Sequence, residues 1–267
     1  MPSTGQLVLV VIAIAFFLGG GAVSVGRWWI DRPWSRLVAK VCMYCGLLFA
    51  LGAQIWHAAV RGSWWPLEDN FDSLIWLATG LALFVMYVQR RKPLPGLDWF
   101  VMPIVVLLLI LAAVTGRTNW KEYDAHSLWM WVHLAGTYGG AAVFAIAAAA
   151  GCMYLLANYR LRHKVALAGP NLGSLERLEH LTLTAVTLGF ALLTIGAVTG
   201  FARIKYEHLA VPRTKIIMSS LVWLIYAIVL HSPMNPSFRG RRAAILSIVG
   251  FVLMIGTVIA VLVMPSG

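Results

Sequence analysis

Seven histidines are the residues of this chain best equipped for chemistry, and their positions sort them. Neutral imidazole is a common metal ligand, and its second nitrogen is usually oriented by another partner. His57 ends one apolar run, His133 lies about two turns into another, His231 closes a third and His180 opens a fourth. His126, His163 and His208 fall in polar connections. Zinc-type spacings are absent: there is no H-x-x-x-H and no H-E-x-x-H. No Ser-His-Asp set, paired-carboxylate arrangement or phosphate loop can be argued from the spacing, so no catalytic residue is assigned. The alternative for each histidine is interfacial, with the ring bonded to a backbone carbonyl or a lipid headgroup.

Two other stretches carry chemistry-bearing side chains. GSWWPLEDNFDSL, residues 62–74, places two tryptophans, a proline and three carboxylates between two apolar runs. Read simply, Trp64 and Trp65 are interfacial, Pro66 ends the preceding segment, and Glu68, Asp69 or Asn70 caps the next helix. The other reading is a ligand platform of aromatic faces and capped donors. CMYC, Cys42 to Cys45, is either a redox pair or two small apolar residues on one helix face. No histidine follows Cys45, so the stretch is not a covalent haem attachment motif.

The elements that must position these residues are membrane helices. The chain has 267 residues, 60% of them hydrophobic and only 12% charged. Apolar runs of about 18 or more residues recur, which marks an integral membrane protein of the all-α class. Eight spans are expected, over residues 6–23, 37–58, 71–88, 98–115, 127–157, 180–201, 214–231 and 243–264. They form a single helical membrane domain over 1–267. The first run lacks a basic flank and an obvious cleavage site, so it reads as a retained helix.

The net charge of +11 does not imply nucleic acid, because the charges sit in short loops. Fourteen of the 21 basic residues fall in the odd loops: Arg27, Arg32, Arg36, Lys40, Arg90, Arg91, Lys92, Arg160, Arg162, Lys164, Arg177, Arg239, Arg241 and Arg242. That bias puts the odd loops on the cytoplasmic side and both termini outside. Trp28, Trp29 and Trp34 flank the first basic loop as interfacial anchors, and Trp99, Trp120, Trp129 and Trp131 invite the same reading. Gly169-Pro170-Asn171 signals a turn, after which Ser174 caps a helix with Glu176 in its first turn. Short loops make consecutive helices antiparallel neighbours. The fifth span is dense in Gly and Ala, which permits close helix approach in lipid and makes it central.

Two histidines at one depth on facing helices can clamp a haem iron. His57 and His133 are the outer candidates; His231 is the inner one, with His180 as its mate.

Four elements, in order, resemble the CcsA and ResC family of cytochrome c-type biogenesis proteins. They are WPLEDNFDSLIWLA, SLWMWVHLAGTYGGAAVFAIAAAAGCMYLL, LEHLTLTAVTLGFALLTIGAVTG and SSLVWLIYAIVLHSPMNPSFRGRRAAILSIVGF. Together they cover about residues 60–255. The resemblance implies a multi-spanning protein of c-type cytochrome assembly that binds or passes haem b through histidine ligands. His133 matches the family's outer histidine and His231 its intramembrane histidine. Trp65, Pro66, Leu67, Asn70, Asp72, Ser73 and Leu74 occupy its recurring WPL..N.(D/E)SL element, with Trp65 placed to stack on a porphyrin. The implied partners are a CcsB-like membrane protein and apocytochrome c. The implied setting is the lipid bilayer of a bacterial cytoplasmic (inner) membrane or an equivalent energy-coupling membrane.

The chain departs from that family at two places. The tryptophan-rich motif WGxxWxWDPKE is replaced by FARIKYEHLAVPRTK, where only Pro212 and Lys215 echo it. The family's second outer histidine is missing; the loop offers His208 as a local substitute, the alternative being a solvated loop histidine. This pattern is closer to the HemX-like, or YpjD-like, branch. A non-enzymatic membrane regulator or assembly scaffold without stoichiometric haem is therefore the alternative.

Overall fold

The computed structural model describes residues 1–26, 33–91, 94, 96–118, 127–163, 172–206, 213–231 and 240–263. Trp28, Trp29, Trp120, His126, His208, Pro212 and the 169–171 turn lie outside them. All regular structure among the described residues is helical. The eight helices are α1 (Thr4–Gly26), α2 (Pro33–Arg61), α3 (Asn70–Arg91), α4 (Leu97–Thr118), α5 (Leu128–Arg162), α6 (Leu175–Tyr206), α7 (Arg213–Leu230) and α8 (Arg241–Val263). Each covers most or all of one expected span and several run past it into the loops. Seven are long and apolar enough to cross a membrane, so the protein is an integral membrane protein. The exception is α7, whose apolar part, Ile216–Leu230, is shorter than the roughly 20 residues a bilayer core takes.

Lipid offers no hydrogen bonds, so polar groups must be satisfied within the protein. The helical hydroxyls show how. Thr79, Thr115, Thr182, Thr187, Thr194, Thr199, Ser247 and Thr257 each donate to the carbonyl four residues back, at 2.7–2.9 Å. Cys42 and Cys45 are free thiols in α2. Cys42 packs against Gly20 of α1, where an added Cβ would lie 3.1 Å from the Cys42 Cβ.

The helices cluster into two compact units, Met1–Tyr123 with Val165–Leu172, and Asp124–Lys164 with Gly173–Gly267. In the first, α1 packs on α2, α2 on α3, α3 on α4 and α4 back on α1. The second repeats the pattern with α5, α6, α7 and α8. Within each unit the first two helices, α1 with α2 and α5 with α6, run antiparallel. Gly5 meets Trp56 while Gly20 meets Cys42, and Gly136 meets Gly196 while Gly140 meets Gly189.

The expected centrality of the fifth span is met by its burial, 67% of its apolar window against 28% for α6 and 33% for α8. Its glycines are the reason. A Cβ on Gly136 would lie 2.8 Å from the Gly196 nitrogen and the Leu192 oxygen, and one on Gly151 would lie 3.0 Å from the Ala244 oxygen. Backbone meets backbone there, which only glycine allows, and dispersion contact then holds the helices together in lipid. Ser174 caps α6 as expected, accepting from the Arg177 N–H at 3.2 Å.

Candidate functional site

At the α2–α3 corner of the first unit, α2 ends on Arg61 and α3 starts at Asn70, and the residues between them turn back sharply. Of the three candidate caps, Asp69 serves. Its Oδ1 accepts the Asp72 N–H at 2.7 Å, and its backbone carbonyl accepts the Ser73 N–H. The turn itself is strained. Leu67 is the one non-glycine with positive φ among the described residues, at 65°. An L-residue in this region costs about 1–2 kcal/mol. The Leu67 N–H donates to Asp72 Oδ2 at 3.0 Å, which holds the conformation in place.

Arg61 organises the corner. Its Nε lies 2.8 Å from Glu68 Oε2, and its terminal nitrogens lie 3.3 Å from Asp69 Oδ2 and 3.7 Å from Asp72 Oδ2. It also donates to the Trp65 carbonyl at 2.7 Å and the Ser63 carbonyl at 3.4 Å. A planar guanidinium with five donors can serve such a ring of acceptors, which an ammonium cannot. The loop is therefore tied down at its backbone, while its two aromatic rings stay outside. Trp64 is 70% exposed and Trp65 67%. Pro66 and Leu67 are half-buried, and Asn70 and Asp72 are buried.

His57 enters this network from α2. Its Nε2 lies 2.7 Å from Asp69 Oδ2, its Nδ1 lies 3.3 Å from Gln6 Oε1 of α1, and Phe71 packs edge-on against the ring. Gln6 Oε1 already accepts the Ser3 N–H at 2.7 Å, which marks it as the acceptor end of that amide. Both imidazole nitrogens thus face oxygen atoms of the protein. As placed, both His57 nitrogens are engaged by protein side chains. Burial by itself would raise the Asp69 carboxyl. The hydrogen bonds from His57 and the Asp72 N–H, with the charges of His57 and Arg61, outweigh it and hold Asp69 below its ordinary value.

Just below this pair lie polar atoms with no partner among the described residues: Gln6 Nε2, both side-chain polar atoms of Gln54, and Ser73 Oγ. Gln54 sits one turn below His57 on α2, and Ser73 one turn below Asp69 on the antiparallel α3. They share a depth, so a water between them would meet both a donor and an acceptor.

His133 belongs to the second unit. It projects from α5 onto α6, where the ring lies close against Gly200; a Cβ there would be 2.9 Å from Nδ1 and Cε1. Nδ1–H donates to the Gly196 carbonyl at 2.7 Å. That bond fixes the tautomer and leaves the lone pair on Nε2, the usual arrangement of a metal-binding histidine. The small residues at 196 and 200 make room for the ring. His133 therefore keeps Nε2 without a protein hydrogen-bond partner among the described residues.

His231 stands at the end of α7, exposed, with Nδ1–H donating to the Ala227 carbonyl at 2.7 Å. Its Nε2 is likewise the bare nitrogen. His133 and His231 cannot share an iron. The Thr194–Trp223 hydrogen bond registers α6 against α7. Counting about 1.5 Å per residue from it, His231 lies about 15 Å along the bundle from Gly196. By the same count His180 is about 9 Å further still, so it does not face His231 at one depth.

Arg61, Gln6 and Gln54 are site residues that the sequence pattern does not mark as such. In the sequence Arg61 is one basic residue at the end of an apolar run, whereas a lone Gln in each of two apolar runs is a visible signal. Among the described residues, no group of three or more His, Cys, Asp or Glu side chains is placed to hold a metal ion.

Residues 64–266 match a family model described as Cytochrome C assembly protein. The chain is similar to a cytochrome c biogenesis protein CcsA from one strain of Prochlorococcus marinus, with 22% identity over 93% of this chain and 88% of that protein. A protein of the same name from Guillardia theta is 22% identical over 86% of each chain. One from a second Prochlorococcus marinus strain, MIT 9303, is 23% identical over 99% of this chain and 93% of that protein. No solved structure gives a significant match.

Proposed function

Because the chain belongs to the cytochrome C assembly protein family, we propose that it binds or passes haem b during c-type cytochrome assembly. Haem is here the cargo, and its iron is the group that a bare imidazole nitrogen ligates. The observation that carries the reading is His133. Its Nδ1–H is committed to the Gly196 carbonyl and its Nε2 is bare. His231, with the same tautomer, would serve a second, inner position. His57 would not ligate as placed; it anchors the outer loop that presents Trp65. Trp65 would offer a ring face to the macrocycle. Covalent attachment would fall to partners: a CcsB-like membrane protein and an apocytochrome c that supplies its own thiols. The setting would be a bacterial cytoplasmic membrane or an equivalent energy-coupling membrane.

A second reading is a HemX-like regulator or scaffold without stoichiometric haem. It is favoured by the engagement of both His57 nitrogens and by the replaced tryptophan motif. One experiment separates the two. The detergent-purified protein is examined by absorption, oxidised and then dithionite-reduced, with haem quantified against protein. Near-stoichiometric haem with sharp reduced α and β bands, lost in a monodisperse His133→Ala variant, supports haem handling. A colourless protein after expression with added haem precursor refutes it and favours the scaffold.

A further inference from the structure

Charged side chains also converge at the opposite end of the second unit from His133. There α5, α6 and the start of α8 line an open pocket of about 620 Å³, with Arg162, Glu176, His180 and Arg241 exposed at it. Such a volume falls within the roughly 300–1,000 Å³ of small-molecule sites. Its lining follows helical spacing. Tyr154, Asn158 and Arg162 stand at i, i+4 and i+8 on one face of α5. Glu176, Glu179, His180 and Leu183 stand at i, i+3, i+4 and i+7 on one face of α6, and Arg241 opens α8. Two membrane helices thus turn polar faces toward one space, where two apolar faces would have packed without any.

The charges in that space do not neutralise one another. Arg162, Arg241, Glu176 and Glu179 form no ion pair and no side-chain hydrogen bond among the described residues. Arg162 and Glu179 nevertheless both lie near enough to Tyr154 to act on its hydroxyl electrostatically. The two guanidinium groups and two carboxylates around the pocket balance in charge. A ligand that matches them carries one anionic and one cationic group a few ångströms apart.

We infer that this cavity binds the headgroup of a zwitterionic phospholipid with a primary ammonium, as in phosphatidylethanolamine. The arginines take the phosphate, bidentate in the manner of guanidinium–phosphate pairs. The glutamates take the ammonium, whose three N–H donors need acceptors. Basic pockets at membrane surfaces select anionic headgroups; the two glutamates remove that preference here. They also disfavour a dianionic porphyrin, although His180 lies in the lining. The pocket lies where α5 ends and α6 and α8 begin, at the ends of helices long and apolar enough to cross a membrane. The inference is independent of the haem reading, because it uses neither His133 nor His231.

The test uses the full chain in nanodiscs of three compositions: phosphatidylcholine alone, and with added phosphatidylethanolamine or phosphatidylglycerol of the same acyl chains. Lipids retained after transfer to detergent are counted by native mass spectrometry. We expect phosphatidylethanolamine to be retained at least fivefold over the other two. Arg162→Gln with Arg241→Gln should reduce its retention by a similar factor. Glu176→Gln with Glu179→Gln should erase the preference over phosphatidylcholine, whose quaternary ammonium has no N–H to donate, and raise phosphatidylglycerol instead. Leu183→Trp, which leaves every charge in place and narrows the cavity, should lower phosphatidylethanolamine retention without altering monodispersity. Equal retention of the three lipids by the wild type overturns the inference. So does an unchanged preference in both charge variants, or displacement of the lipid by soluble phosphoethanolamine, which would make a soluble zwitterion the ligand.

Discussion

Asp69 does two jobs with two oxygens, and substitution separates them. Oδ1 caps α3, and Oδ2 accepts from His57 at 2.7 Å and Arg61 at 3.3 Å. Asp69→Asn keeps a competent cap. It also turns an amide N–H₂ toward two donors and removes the charge they share. Each charge-assisted hydrogen bond is worth about 1.5–3 kcal/mol, and removing one partner of a buried pair costs about 3–5. Arg61 keeps Glu68 at 2.8 Å, so the lower end applies, about 3 kcal/mol. Asp69→Ala loses the cap as well, about 1 kcal/mol more. Reversible unfolding in mixed micelles should give this order: wild type, then Asn, then Ala. His57→Gln should cost at least about 1 kcal/mol less in the Asn background than in the wild type, because its partner is already gone. Interhelical hydrogen bonds measured in membranes average about 0.6 kcal/mol. A coupling below that, or an Asn variant as stable as wild type, would falsify the charged pairing. It would also return His57 to the set of free imidazoles.

Four further outcomes are expected. Because Asp69 is held below its ordinary 3.8, its contribution is full above that value and is lost as pH falls through the depressed one. The wild-type unfolding midpoint should therefore gain an acid limb below about pH 4 that Asp69→Asn lacks. Gly136→Ala places a Cβ 2.8 Å from the Gly196 backbone and should cost about 1–3 kcal/mol. It should also disturb the haem spectrum through the displaced Gly196 carbonyl, while Gly139→Ala, which meets only Leu192 Cδ1 at 3.5 Å, serves as the silent control. Leu67→Val should lower the thermal midpoint more than Leu67→Gly, since a β-branched residue tolerates φ of 65° worst. For Trp65, haem occupancy should fall further with Ala than with Phe, which keeps a ring face, and equal losses would count against stacking.

Much of the architecture was legible because hydrophobicity alone determines it. A bilayer core requires long apolar helices with internally bonded backbones, so eight spans could be placed within a few residues of α1 to α8. The density of Gly and Ala likewise marked α5 as the helix others pack against, because in lipid small residues are what permit contact. Local rules reached as far as Ser174 capping α6 and an acid capping α3, since caps are set by residues two or three positions away.

Tertiary structure decided what each polar side chain does. Nothing in the spacing distinguishes His57 from His133: both sit near the end of an apolar run. Their fates differ because His57 faces a carboxylate and an amide oxygen, while His133 faces one backbone carbonyl. Hydrogen-bond partners that lie 51 or 63 residues away are invisible to any local pattern. Arg61 shows the same limit from the other direction. As a letter in a loop it is one more basic residue. At the end of α2, facing the start of α3, its guanidinium gathers three carboxylates and two carbonyls, because only the fold brings those acceptors within reach of one planar fork.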